Sequence, residues 1–421
     1  MHNSLNPTST THHATSTIVT HCQSCNSDYL EEILFLGYLP PVNTMPLQNT
    51  PPHEETSYPA NLLYCHTCHL VQLGTIVDQT ILFPPDYPYT SSTTKILRDN
   101  FAELAQECEN LFSLHKHDLV LDIGSNDGNL LSNFKDKARV IGITPEIIGK
   151  RAIEKGIPTI IDFFNEKTAK DIENTYGKAR FITATNVFAH IENINDIIES
   201  IKNILTPDGI FISESHYLLP LIETTQYDTI YHEHLRYYSL KSLTYLLNKH
   251  GLEIIHAKEI PTHGGSIRVY AARPGIYKQQ SSVTEQLAKE SFLTLERLKK
   301  FKQEVITSRT NLQALLHTIK NKGETIFGVG APSRASTFIN YTGLDDGDIT
   351  CIVEISGSHK IGKYIPGTRI PVVDEKLLFE AQPEYALLFS WHIADELIAN
   401  LKRKGYKGKF IIPLPHPKII D

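Results

Sequence analysis

Four of the six cysteines stand as two tight pairs, CQSC at 22–25 and CHTC at 65–68, and no other feature restricts the fold as much. A C-x2-C knuckle aims two thiolates at one ion, and two knuckles complete the tetrahedron of a closed structural Zn2+ site. Cys22, Cys25, Cys65 and Cys68 are therefore read as metal ligands. Such a set leaves no open position for catalysis. His21, His66 and His69 flank the knuckles and are read as surface histidines. From about Val19 to Thr80 the chain is dense in Pro, Tyr, Cys and His and poor in helical periodicity. That composition predicts a small loop-rich module held by the metal rather than by a core. Cys108 and Cys351 are read as packing residues.

A chain of 421 residues exceeds a single core and implies several domains. With a net charge of -7 and no basic stripe, a nucleic acid polymer or an anionic membrane is a poor partner. No stretch of ~18 consecutive apolar residues reads as a membrane span. The opening MHNSLNPTSTTHHATSTIVT lacks the basic start and apolar run of a signal peptide, so residues 1–20 are expected to be a loose tail and the protein cytoplasmic.

Beyond a helix expected over Ser92 to Leu114, short β-rich runs alternate with helical stretches: DLVLDIG, RVIGIT, PTIIDF, RFITATNV and GIFISES. Alternation of this kind predicts a parallel, doubly wound α/β sheet. LEIIHAKEI and SIRVYAARP, joined through Thr262 to Gly265, add two strands. Apolar positions from Ser282 to about Lys320 predict one long amphipathic connecting helix, begun by a Ser282/Glu285 capping box. The alternation restarts in ETIFGVGAP, ITCIVEI, YALLFSW and KFIIPLP, with a helix over Pro332 to Tyr341. The domains are thus drawn at 21–80, 81–280, a connector at 281–322, and 323–421.

LDIGSNDGNLL places Asp122 at a strand end, then Gly124 and Gly128, then a helix. Glycines let the backbone approach a ligand, and the helix start offers free N–H donors. The spacing is G-x3-G rather than the G-x-G-x-x-G of dinucleotide enzymes, which favours S-adenosylmethionine over NAD. A nucleoside-binding fold usually has an acid at the end of its second strand, where this chain has Thr144, with Glu146 two residues on.

YDTIYHEHLRYYSL sets two histidines around one glutamate among several tyrosines. Carbanion formation needs a base near neutral pKa, a partner to hold it and donors for the enolate oxygen, and such a run contains all three. Its competing reading is a solvated loop with half-buried tyrosines.

DIGSNDGNLL, NVFAHIENINDII, LTPDGIFISE, YDTIYHEHLRYYSL and THGGSIRVY together resemble the S-adenosylmethionine-dependent sugar C-methyltransferases that act on nucleotide-linked 4-keto-deoxysugars. GVGAPSRASTFINYTG, KIGKYIPGTRIPV and FSWH resemble their C-terminal domain, so the likeness covers nearly the whole chain after residue 20. It implies a zinc-binding N-terminal module, a Rossmann-like class I methyltransferase domain and a C-terminal α/β Rossmann-like domain. It further implies C3 methylation of a 4-keto-6-deoxy sugar, by loss of the C3 proton, enolate formation and attack on the sulfonium methyl. The family pattern puts catalytic roles on His234 as base, Glu233 as its neighbour, Tyr231 and His190 as donors, and Tyr87 in DYPY ahead of Tyr89. The cofactor set it implies is Asp122, Gly124, Asn126, Gly128, Thr144, Glu146, Asp162, Phe163 and Asn186. Arg334 and Arg369 are candidates for the nucleotide diphosphate. His232 is expected to point away from substrate, and the assembly is expected to be a monomer or dimer.

Family members usually carry an acid at Thr144. Were the methyl donor lost with it, the same proton-transfer groups would support an epimerase or isomerase; the non-enzyme alternative is a zinc-containing sugar-nucleotide-binding protein.

Overall fold

The computed structural model describes residues 15–51, 54–83 and 94–421. Tyr87, Tyr89 and the expected helix start at Ser92 lie outside the described residues.

The central sheet grows from runs whose side chains are apolar on both faces, such as Leu119–Ile123, buried at every position. Its seven strands lie in the order Glu253–Ile260, Ser266–Ala272, Leu205–His216, Ala179–Thr185, Leu119–Ile123, Arg139–Thr144, Thr159–Ile161. Ser266–Ala272 runs antiparallel to both neighbours, while the remaining pairs are parallel. This is the Rossmann-like sheet that the resemblance to class I methyltransferases implies. Helix Ile194–Ile204 covers one face by burying Ile194, Ile197, Ile198, Ile201 and Ile204, a three-four spacing read directly from INDIIESIKNI. The chain order reverses between Leu119–Ile123 and Ala179–Thr185, which opens a crevice at their carboxyl ends.

A second sheet repeats this logic. Its order is Val372–Asp374, Ile352–Glu354, Ile326–Val329, Tyr385–Leu388, Lys409–Ile412, Lys418–Ile420, and only the last pair is antiparallel. Here the reversal falls between Ile326–Val329 and Tyr385–Leu388. Val372–Asp374 and Lys418–Ile420 are too short to stand out by pattern.

The N-terminal module differs from its sequence expectation. Leu30–Leu39, Tyr58–Cys65 and Val71–Leu73 form an antiparallel sheet, and its apolar face joins a core shared with Leu298, Phe301 and Phe338. The fourth strand is Arg236–Tyr237, contributed by the segment that carries His-Glu-His. Core packing therefore shares the task of holding this module.

The connector also differs: helix Ser281–Lys289 stops, a turn spans Glu290–Phe292, and a new helix runs Leu295–Lys320. Buried Glu290 explains the break, because its carboxylate turns inward to accept from the backbone N–H groups of Leu240 and Lys241 and from the Tyr217 hydroxyl at 2.8 Å. Thr294 caps the second helix, and Ser282 is bonded to His256 at 2.7 Å instead of capping the first. No helix among the described residues is long and apolar enough to cross a membrane.

Candidate active site and metal site

The two knuckles are built alike. Asn26 N–H donates to Cys22 O and His69 N–H to Cys65 O, each at 2.9 Å, and each loop ends in a left-handed residue, Asn26 at φ 63 and His69 at φ 62. The four sulfurs lie within 4.8 Å of one another, with Cys22–Cys68 at 3.4 Å and Cys25–Cys65 at 3.5 Å. Those separations suit four thiolates around one Zn2+ at ~2.3 Å each. The histidines are engaged elsewhere: His66 stacks on Tyr29 at 4.0 Å and pairs with Glu31 at 3.0 Å, His69 bonds the Tyr64 hydroxyl, and His21 is exposed.

The carboxyl ends of the two larger sheets face each other across one cavity of about 1220 Å3. Ligand pockets commonly measure ~300–1,000 Å3, so this one has room for two ligands together. At one end the wall is formed by Asp122, Gly124, Asn126, Glu146, Asp162, Phe163 and Asn186. Gly124 takes φ +75, and a Cβ there would stand 2.8 Å from Val187. Asn126 and Asn186 are left-handed at φ 48 and φ 56, a strain that concentrates at ligand sites. Burial, then the nearby Glu214, pushes the Asp122 carboxyl up to about 7, against the Thr183 hydroxyl bonded to it at 2.7 Å.

Gly128 and Thr144 do not line the cavity. Gly128 is needed where the turn packs on Ala152 and Ile157, each 2.8 Å from a would-be Cβ. Thr144 is fully buried, and its hydroxyl donates to the Glu146 carboxylate. The acid facing the cavity is thus displaced two residues along the chain and held by the residue that stands in its usual place. Glu146 and Asp162 carboxylates as acceptors, aromatic Phe163 and a glycine turn form a lining that fits S-adenosylmethionine.

Further in, the cavity reaches His234, whose Nδ1 lies 2.8 Å from Thr229 O. A carbonyl only accepts, so Nδ1 carries the proton and Nε2 keeps its lone pair. His234 lies between Tyr231, tilted against it at 4.1 Å, and His190, stacked on it at 5.2 Å, and His190 stacks in turn on Phe83 at 5.6 Å. Burial, followed by His263 and Arg334, holds the His234 imidazolium down to about 4, with Thr229 O opposing. Burial also lowers His190 and His216 far below the usual histidine range, and lowers His263 to about 4 and His392 to about 3. All five rings line the cavity as neutral imidazoles at pH 7.

Glu233 is held from two other parts of the chain. Asn43 of the N-terminal module donates to its Oε1 at 2.7 Å, and Asn43 Oδ1 accepts from Ser333 Oγ at 3.1 Å. Lys360 acts on Glu233 electrostatically and donates to Ala331 O at 2.6 Å. His232 turns away, donating from Nε2 to Pro59 O at 3.2 Å.

Arg334 enters from the C-terminal domain. It donates to His392 Nδ1 and His263 O, both at 3.1 Å, while Asp228 lies 3.7 Å away and is itself bonded by Trp391 Nε1 at 2.8 Å. Nε2 of His216 and of His263 are buried without a hydrogen-bond partner among the described residues, as ligand-facing atoms would be. Arg369 does not line this cavity; its guanidinium lies 4.0 Å over the Tyr364 ring. Gly264 and Gly265 serve close packing on Gln226 and Pro220, while His263 between them and Thr262 faces the cavity in a left-handed conformation. Asn43, His216, His392 and Lys360 were not singled out by the sequence, although FSWH contains His392 and KIGKYIPGTRIPV begins with Lys360.

Comparison with known proteins supplies the family. C-methyltransferase NovU of Streptomyces niveus is 31% identical over 410 residues, 96% of this chain and 97% of that protein. The chain belongs to the C-methyltransferase family. Three family models match this C-methyltransferase in order: "Putative zinc binding domain" over 22–83, "Methyltransferase domain" over 95–257 and "C-methyltransferase C-terminal domain" over 261–415. Among solved structures, an S-adenosylmethionine-dependent methyltransferase from Clostridium acetobutylicum shares 14% identity over 44% of this chain and 94% of that chain, at TM-score 0.34. Magnesium protoporphyrin IX methyltransferase from Synechocystis shares 16% over 42% and 77%, at TM-score 0.31. Scores so low add nothing to the sheet topology. The C-methyltransferase uses S-adenosylmethionine, and its four cysteines are suited to zinc.

Proposed function

We propose that this C-methyltransferase acts on C3 of a nucleotide-linked 4-keto-6-deoxy sugar. One observation carries the reading: His234, whose Nε2 has no hydrogen-bond partner among the described residues, lines the same cavity that begins at the glycine turn and Glu146. A ketone at C4 acidifies the C3 hydrogen, and His234 Nε2, unprotonated at pH 7 but made by burial a weaker base than the near-neutral one the sequence suggested, takes that proton. The enolate oxygen is met by Tyr231 and His190 as donors. Glu233, fixed by Asn43, orients the sugar and relays the proton away. S-adenosylmethionine, held by Gly124, Asn126, Glu146, Asp162, Phe163 and Asn186, supplies the electrophilic methyl group that the carbon nucleophile accepts. Arg334, with a guanidinium fork, two cavity-facing histidines and Trp391 around it, suits a diphosphate.

A panel of 4-keto-6-deoxy sugar nucleotides, incubated with and without the methyl donor, tests this by mass spectrometry. The expected product gains one CH2, and substrate in deuterated water gains one deuterium at C3. A CH2 gain on oxygen, or methylation without any exchangeable C3 hydrogen, would overturn it.

A further inference from the structure

Arg236 is a cation buried to 1% exposure on the strand that the methyltransferase domain lends to the zinc module. Its guanidinium donates to two backbone carbonyls, Ile191 O at 2.5 Å and Glu192 O at 2.6 Å. Leu235 N–H adds a third bond to the same loop, at Ala189 O. This loop carries His190. Arginine ion pairs among the described residues fall to Arg180, Arg268, Arg297 and Arg334, and Arg236 has none. A buried charge without compensation costs several kcal/mol.

Beside burial, the groups that act most strongly on Arg236 are Tyr238, then Cys22 and Glu192. Burial keeps the Tyr238 phenol protonated, with a pKa pushed up to about 12, and Glu192 is exposed to water. That leaves the cysteine cluster. Four thiolates around one Zn2+ carry a net formal charge of about -2. Arg236 stands across from Gln72, whose Oε1 accepts from Gln23 N–H in the first knuckle at 2.8 Å. A second cation from the same domain grips this knuckle: Lys249 Nζ donates to Ser24 O at 2.8 Å, beside Asn195 Nδ2 on Gln23 O at 3.1 Å.

We propose that the metal-loaded cysteine cluster is the counter-charge of Arg236, and that through Arg236 the zinc site positions the loop carrying His190. Zinc is then a part of the domain interface as well as a staple within its own module. Arg236 is a positioning residue: its charge faces the cluster and its fork holds the loop. The role given to His190 rests on the proposed function, while the charge pairing and the loop anchoring do not.

The full chain, loaded with zinc, separates the two halves of this idea without any substrate. Zinc transfer to a chromogenic chelator is timed for wild type, Arg236→Met and Arg236→Lys, and amide exchange is followed by mass spectrometry over residues 186–193. Arg236→Met is expected to release zinc more than about tenfold faster, because it leaves the cluster's charge uncompensated. Arg236→Lys keeps the charge and loses the fork, so it should release zinc within about threefold of wild type and still lose protection over 186–193. In wild type, chelation alone should deprotect the same segment. Zinc release from folded Arg236→Met at the wild-type rate overturns the counter-charge, and unchanged protection in chelated wild type overturns the positioning. The chelated wild-type measurement stands even if Arg236→Met does not fold. Failure of the sugar chemistry would leave both readouts untouched.

Discussion

Replacing Glu146 by alanine should weaken S-adenosylmethionine without disturbing the sheet. Its carboxylate lines the cavity just past the strand Arg139–Thr144, where the proposed function puts the ribose, and the Thr144 hydroxyl donates to it. A hydrogen bond to a charged group is worth about 1.5–3 kcal/mol. With about 1.4 kcal/mol per factor of ten, losing one such bond raises Kd roughly 10- to 150-fold. Thr144→Val removes only the orienting hydroxyl from a fully buried site and keeps its shape, so about 0.5–1.5 kcal/mol, or roughly two- to tenfold, is expected. Because Thr144 acts through Glu146, the double variant should bind no worse than Glu146→Ala alone, a coupling that a double-mutant cycle measures. Calorimetric titration with S-adenosylhomocysteine is the assay, with Tm as the control for folding. A Kd for Glu146→Ala within about twofold of wild type, or fully additive losses, would show that the displaced acid does not hold the ribose.

His234→Asn should cut deuterium incorporation next to the ketone by roughly 10²–10⁴ and leave cofactor affinity nearly unchanged; loss of affinity in step with exchange would instead indicate a collapsed cavity. Asn43→Ala should lower kcat roughly tenfold at unchanged zinc content, since it removes a bond to the Glu233 carboxylate, and an unaltered kcat would separate the N-terminal module from the chemistry. Burial holds the imidazolium forms of both His234 and His263 down to about 4 in the folded chain, below their unfolded value of ~6.5. The unfolded chain then binds more protons between those limits, so stability is complete above about pH 6.5 and falls as pH drops towards 4. Tm measured across that range checks the sign, and a Tm that rises on acidification contradicts it.

Several features were legible because their chemistry is local in the chain. Two C-x2-C knuckles declare a metal by spacing alone, and five short β-rich runs with intervening helices declare a doubly wound sheet by period. Tyr231, Glu233 and His234 are neighbours in sequence, and the cavity receives them together. Other features depended on distant partners. The connector was expected as one helix because its apolar spacing continues through the break, and the inward pull of Glu290 on Leu240 and Lys241 leaves no trace in that spacing. The module around the cysteines looked loop-rich because part of its sheet and core comes from residues far along the chain.

The amino-acid order by itself determined the metal knuckles, the class of sheet, the glycine turn and the His-Glu-His run, each being set by contacts a few residues apart. Only the tertiary structure decided which side chains surround the cavity. Two sheets turn the carboxyl ends of their strands toward one space, and that opposition brings His216, His263, Arg334, Lys360 and His392 to it from separate elements. It also decided that Glu146 rather than Thr144 presents the acid. Isolated histidines on separate strands and loops carry no spacing to read, because the distance between them is set by how the sheets pack.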